Sequence, residues 1–126
     1  MPLIYQSRIV RNDLKANPNI FYVFGDNAER RGMGGQAKEM RGEPNAFGII
    51  TKRSPKEFLD DTDHDWVAAS WDNDFNTLKA HLRVGRHVII PLFGIGTGLA
   101  QLPIKAPRLW DELISNMKEL EQWTAK

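Results

Sequence analysis

The stretch Ile20-Phe21-Tyr22-Val23-Phe24-Gly25-Asp26-Asn27 decides the fold class of this chain. Its first five residues are β-branched or aromatic with no charged interruption, which is the pattern of a strand covered on both faces. The glycine and the two polar residues that follow are typical of a turn. The stretch therefore predicts a buried inner strand that leads directly into a loop.

Other apolar runs predict further strands. The run His87-Val88-Ile89-Ile90-Pro91-Leu92-Phe93 has the same character and ends in Gly94-Ile95-Gly96-Thr97-Gly98. A third run covers Ala46 to Thr51, and the segment from Leu3 to Val10 is typical of an edge strand.

Helical patterns alternate with these strands. A short helix is predicted over 36–40, and Phe75, Leu78 and Leu82 mark one that starts at Asp72 or Asn73 and stops at Gly85. Apolar residues from Ala106 to Leu120 recur at spacings of three and four, as in an amphipathic helix. We interpret the acidic run 60–65 as a solvated loop. The alternation predicts one α/β domain over residues 1–126 with a mixed, mostly parallel sheet.

Composition excludes several function classes. The 126 residues include no Cys, so disulfides, thiolate metal sites and a Cys nucleophile are ruled out. The 17 Lys and Arg nearly balance the 16 Asp and Glu, which argues against a nucleic-acid binder driven by bulk charge. The three His lack ligand spacing, and no apolar run is long enough to span a membrane. We expect no metal, no cofactor and no membrane partner, and a cytoplasmic location.

Eight of the ten glycines fall in two stretches, one after each of two predicted inner strands. In α/β folds, ligands bind beyond the carboxyl ends of strands. Glycine lets backbone N–H groups converge on a phosphate without a Cβ in the way. The P-loop lysine is missing, and no acidic residue stands where a dinucleotide fingerprint requires one. The pattern favours a clamp on a phosphorylated ligand over two plain turns.

The combination resembles a macrodomain, the ADP-ribose-binding fold. The segment Asn12-Asp13-Leu14 matches the acidic position after the first strand, and Phe24-Gly25-Asp26-Asn27 with Gly32-Met33-Gly34-Gly35-Gln36-Ala37 is similar to the first loop. The segment from Pro91 to Leu99 is similar to the second loop and is the most specific of the matches. The resemblance covers nearly the whole chain, and it implies a three-layer α/β/α sandwich in a short member of a bacterial or phage type.

The resemblance also implies roles for individual residues. Asp13, with Leu14 beside it, would bind the adenine amino group, although Asp13 is equally interpreted as a helix N-cap. Asn27 and the backbone over 32–36 would hold the distal ribose, the alternative for Asn27 being a turn cap. The full set of expected ligand-binding residues is Asp13, Leu14, Asp26, Asn27, Gly32, Gly34, Gly35, Gln36, Thr51, Gly94, Ile95, Gly96, Thr97, Gly98 and Leu99, the last six wrapping the diphosphate.

Catalysis is left open by the sequence. Ile50-Thr51-Lys52 resembles the segment that carries the catalytic Lys in the terminal ADP-ribose glycohydrolase branch. Lys52 is therefore a candidate catalytic residue, and Asn27 is the other because the resemblance also places it near the scissile ribose. That branch pairs its Lys with an Asp where this chain has Ala100, and other hydrolases of the family use an Asp near the position of the neutral Gln36.

Three functions therefore remain. The chain hydrolyses an ADP-ribosyl linkage, or it reads ADP-ribose without turnover, or, less favoured, it binds single-stranded nucleic acid. The expected partner is ADP-ribose or an ADP-ribosylated macromolecule, with nucleic acid entering only as an ADP-ribosylated substrate, and the oligomeric state is open.

Overall fold

The computed structural model describes residues 3–92, 95 and 100–124. Within this part of the chain the strands are β1 (Leu3–Gln6), β2 (Phe21–Asn27), β3 (Ala46–Ser54), β4 (Glu57–Phe58) and β5 (Val88–Pro91). They form one sheet in the order β1-β5-β2-β3-β4. The pairs β1·β5, β5·β2 and β2·β3 are parallel, and β4 alone runs antiparallel, beside β3. The predicted α/β class with a mixed, mostly parallel sheet is confirmed.

Five helices connect or follow the strands in the described residues. They are α1 (Arg11–Ala16), α2 (Ala37–Met40), α3 (His64–Arg83), α4 (Leu102–Lys105) and α5 (Pro107–Thr124), with a 3₁₀ turn at Asp61–Asp63 directly before α3.

The helices cover both faces of the sheet, because side chains alternate along the inner strands. On β2, Tyr22 and Phe24 pack with buried residues of α1 and α2, whereas Val23 packs with α3 and α5. On β5, Ile89 joins the first of these cores, and its neighbours Val88 and Ile90 join the second. The unbroken apolar runs of the two strands are explained by this burial on both faces.

The start of α3 differs from the sequence prediction. The helix begins at His64, not near Asp72 or Asn73, and the acidic run before it is a capped turn instead of a solvated loop. The Asp60 carboxylate accepts the Thr62 N–H at 2.9 Å, and the buried Asp63 carboxylate accepts from Arg53 at 2.9 Å. The two carboxylates accept hydrogen bonds from groups that water would satisfy in an exposed loop, and these bonds stabilise the start of the helix. At the other end the prediction is confirmed, because Gly85 follows the helix with a φ of +84°.

Candidate functional site

A cleft of about 390 Å³ opens where the parallel strands β2, β3 and β5 end. Because the carboxyl ends of parallel strands meet at one edge of the sheet, the loops that follow them share this space. The residues that line it are 25–27, 31–37, Arg41, Thr51, Lys52, Pro55, Pro91, Ile95 and Ala100.

The first glycine-rich stretch forms one wall of the cleft, and side chains hold it by its carbonyl groups. The Arg31 carbonyl accepts from Asn27 Nδ2 at 2.6 Å and from Arg41 Nη2 at 3.3 Å. The Gly32 carbonyl accepts from Arg41 Nε at 2.6 Å. In the described part of the chain, by contrast, no backbone N–H over 31–36 donates to the protein. These amides therefore have no acceptor among the described residues, and donors of this kind suit an anion.

Glycine is required at Gly32 by its conformation and by a close neighbour. Its φ is +96°, and a Cβ at this position would lie 3.2 Å from Pro55 Cγ. A side chain here would be strained in the backbone and crowded against the opposite wall. The loop thus approaches the β3–β4 turn more closely than another residue would allow.

Asp26, an expected ligand residue, is an anchor for this loop. Its carboxylate is almost fully buried and lies 2.5 Å from Arg41 Nη2 and 3.3 Å from Arg30 Nη1. Arg41 also lies over the Phe24 ring, 5.7 Å from its centroid. Arg41 was not among the residues expected at the site. The signal that could have found it is the Asp at the end of a buried strand, since a buried carboxylate requires a cation.

Asn27 lines the cleft and organises the turn behind it. Its Oδ1 accepts the Glu29 N–H at 3.0 Å, while its Nδ2 donates to the Arg31 carbonyl. Both ends of the amide are therefore used inside the loop. This is the turn-capping role that stood as the alternative to ribose binding, in a residue that also lines the cleft.

Lys52 and Thr51 reach the cleft from the end of β3. Lys52 Nζ donates to the Pro55 carbonyl at 2.6 Å and lies 5.1 Å from the centre of the Phe58 ring. The Thr51 hydroxyl donates to the Asp26 carbonyl at 3.2 Å. Within the described lining the only carboxylate is Asp26, and it is occupied by two arginines. Lys52 therefore has no carboxylate partner among the described residues of the cleft.

Gln36 carries an unused acceptor at the cleft. Its Oε1 is inaccessible to solvent and has no hydrogen-bond partner in the described structure. Buried acceptors without a partner are uncommon in folded proteins, because the group loses its water without compensation. The sequence assigned only a backbone contribution to this residue.

Asp13 and Leu14 lie apart from the described cleft lining. The Asp13 carboxylate accepts from Gln6 Nε2 and from the Val10 N–H, both at 3.0 Å, at the third residue of α1. Val10 is the N-cap residue, so Asp13 stabilises the start of the helix from inside it. Leu14 is buried in the core between the sheet and α1. The structure does not bring these two side chains to the lining described for the cleft.

Most of the second glycine-rich loop lies outside the described residues, namely Gly94, Gly96, Thr97, Gly98 and Leu99. The described neighbours do reach the cleft, since Ile95 and Ala100 are both buried and line it. Pro91 at the end of β5 lines the cleft as well.

The described residues offer neither a metal-binding cluster nor a membrane-spanning helix. No group of three or more His, Cys, Asp or Glu side chains there is arranged to hold a metal ion. None of the helices in that part of the chain is both long and apolar enough to cross a membrane.

Comparison with known proteins gives a family without an assigned function. No curated protein and no solved structure gives a significant match. A family model described as a family of unknown function, DUF7831, matches residues 4–116. Because that match covers most of the chain, the protein belongs to the DUF7831 family.

Proposed function

We propose that this protein is a macrodomain-like module that binds ADP-ribose or a related ADP-ribosyl nucleotide in the cleft at the ends of β2, β3 and β5. The observation that carries the proposal is the wall over 31–36. Its carbonyls at Arg31 and Gly32 are held by side chains, and its amide groups have no acceptor in the described protein. Unused amides beside a cleft favour an anionic ligand such as a diphosphate.

The charges of the lining support the same ligand class. Arg31, Arg41 and Lys52 line the cleft together with one carboxylate, that of Asp26, and Arg31 is also paired with Glu29 outside the lining. Oppositely charged groups within a few ångströms attract by about 4 kcal/mol at the effective dielectric of a protein surface, before desolvation is counted. A cleft with this excess of positive charge favours a nucleotide carrying two phosphates over a neutral sugar or nucleoside.

Binding without turnover is the better supported form of the proposal. A glycohydrolase needs a group that accepts or delivers a proton at the scissile ribose. The described lining offers no free carboxylate, and Ala100 stands where the glycohydrolase resemblance requires an Asp. Hydrolysis stays the second candidate, because Lys52 lines the cleft and carries the amine that this mechanism would use. As part of the same proposal, the setting is a bacterial cytoplasm, and nucleic acid enters only as an ADP-ribosylated partner.

Isothermal titration calorimetry with ADP-ribose tests the proposal. We expect saturable binding in the wild type and none in Gly34→Glu, which adds a carboxylate to the lining at a glycine whose φ is not positive. Ala16→Glu adds the same charge at an exposed residue of α1 and should bind like the wild type. The proposal fails if the wild type does not bind millimolar ADP-ribose, or if Gly34→Glu binds it as tightly as the control.

A further inference from the structure

A second cavity, of about 300 Å³, lies on the outer side of β3. It is separate from the proposed nucleotide cleft, although Asp26 and Arg41 contribute to the walls of both. The residues that decide its chemistry are Arg30, Glu43, Ala46, Phe47, Gly48 and Asp74.

The cavity follows a strand edge that side chains already close. Residues 46–50 of β3 pair with β2, and β4 pairs with β3 only at Lys52 and Ser54. On the open side, Arg30 Nη1 donates to the Gly48 carbonyl at 2.7 Å and Trp71 Nε1 donates to the Ile50 carbonyl at 2.9 Å. An added strand would have to displace both donors. A compact ligand is therefore favoured over an extended peptide at this edge.

Gly48 leaves the space that Arg30 needs to cover this edge of β3. A Cβ at this position would lie 2.7 Å from Asp26 Oδ2 and 2.9 Å from Arg30 Nη1. The missing side chain lets the Arg30 guanidinium lie directly against the strand. Arg30 is thereby held at the mouth of the cavity, with its side chain still 45% exposed.

Two of the three carboxylates at the cavity have strong partners, and the third does not. Glu43 pairs with Arg11 at 2.6 Å, and Asp26 pairs with Arg41 at 2.5 Å. Asp74, which projects from α3, has a buried Oδ2 without a hydrogen-bond partner in the described structure. A carboxylate oxygen that has lost its water and gained no donor is unfavourable, and a donor from a bound ligand would satisfy it.

The partner of Asp74 has to tolerate Arg30 as well. Arg30 uses only Nη1, toward the Gly48 carbonyl and Asp26, so the other donors of its guanidinium have no partner in the described part of the chain. A simple cation at Asp74 would meet the positive charge of Arg30. A molecule with an ammonium and a carboxylate on neighbouring atoms avoids that repulsion and gives each protein group an opposite charge.

We propose that this cavity binds a free α-amino acid, with its ammonium group at Asp74 and its carboxylate at Arg30. The rings of Phe24 and Phe47 and the methyl group of Ala46 supply an apolar wall, which favours an aliphatic side chain. The cavity volume of about 300 Å³ is at the lower end for small-molecule sites and suits a ligand of this size.

Heteronuclear NMR titration with L-leucine is the direct test. We expect saturable shifts of the amide signals of Gly48 and Asp74, with a dissociation constant near the millimolar range. Leucinamide lacks the carboxylate and isocaproate lacks the ammonium group, so each should bind at least about tenfold more weakly. If no proteinogenic amino acid shifts these signals, the site does not exist. If leucinamide binds as well as leucine, Arg30 has no part in recognition and the zwitterion proposal is overturned.

Asp74→Asn tests the ammonium contact with little risk to the fold, because it removes a poorly satisfied charge and keeps the shape of the side chain. We expect leucine binding to fall at least about tenfold, whereas the exposed Asp72→Asn on the same helix should bind like the wild type. Equal binding by Asp74→Asn would refute the proposal. ADP-ribose affinity is measured on the same samples and should not change, so a failure here stays separate from a failure of the proposed function.

Discussion

We expect the Arg41→Met variant to unfold at a markedly lower denaturant concentration than the wild type. Arg41 makes three kinds of contact, with the Asp26 carboxylate, with the carbonyls of Arg31 and Gly32, and with the face of Phe24. Methionine keeps the apolar stem over the ring and removes every polar contact. The variant therefore isolates the ion pair and the hydrogen bonds from the packing.

The burial of both partners sets the expected magnitude. The Asp26 side chain is 3% exposed and that of Arg41 is 19% exposed. Removing one partner of a buried ion pair costs about 3–5 kcal/mol, because the other charge is left without compensation. Arg30 stays 3.3 Å from Asp26 and compensates in part, so we expect a loss of about 3 kcal/mol in the free energy of unfolding. For a chain of this length, that loss lowers the thermal midpoint by about 10 °C.

Urea unfolding followed by circular dichroism measures the loss, with two comparison variants. Arg31→Met removes a guanidinium that is 66% exposed and pairs with Glu29, and it should cost less than about 0.5 kcal/mol. The double variant Asp26→Asn/Arg41→Met should be more stable than Arg41→Met alone, because it leaves no buried charge without a partner. The reasoning is refuted if Arg41→Met costs less than about 1 kcal/mol or if the double variant is the less stable of the two.

Three further predictions concern single side chains. Gln36→Met removes the unpartnered acceptor and keeps nearly the same side-chain length. In calorimetry the variant should bind ADP-ribose about tenfold more weakly than the wild type, without loss of folding stability. Unchanged affinity would mean that the acceptor faces no ligand. Burial raises the pKa of Asp74 above its usual 3.8, against the opposing charge of Arg30. The folded state therefore binds the proton more tightly than the unfolded state. The stabilising effect of Asp74→Asn should be small below about pH 3.8 and should grow as the pH rises through the raised pKa. Urea titrations measure this effect, and a gain in stability that does not depend on pH would contradict the prediction. If any ADP-ribosylated protein or nucleic acid is turned over, Lys52→Met should slow that turnover by about 100-fold in a product-release assay, and an unchanged rate would exclude Lys52 from catalysis.

The strands and most helices could be predicted from the sequence because their signals are local. The apolar runs that became β2 and β5 are continuous over five or more residues, and the stripe that became α5 repeats at helical spacing. The start of α3 could not be found in this way. An acidic run has the composition of a loop, and only its contacts with Arg53 and Thr62 make it the beginning of a helix.

The candidate site could be predicted only in part, for a related reason. The positions of the glycines indicated where the cleft lies, because the loops that follow two inner strands meet at one edge of a parallel sheet. The pairing of Asp26 with Arg41 joins residues fifteen positions apart and depends on the direction of both side chains. The cavity beside Asp74 depends in addition on how α3 packs across the edge of β3. No local pattern in the sequence carries that information.

The pairing of Asp26 also changes the chemistry of the cleft. A free carboxylate at the end of β2 would repel an anionic ligand and would be a candidate base for hydrolysis. Held between Arg30 and Arg41, the same residue belongs to a cluster with two positive charges and one negative charge. Such a cluster attracts anions, and both oxygens of its carboxylate are hydrogen-bonded to arginine. Asp26 thus supports binding, and it does so by fixing the arginine that holds the glycine loop by its carbonyls.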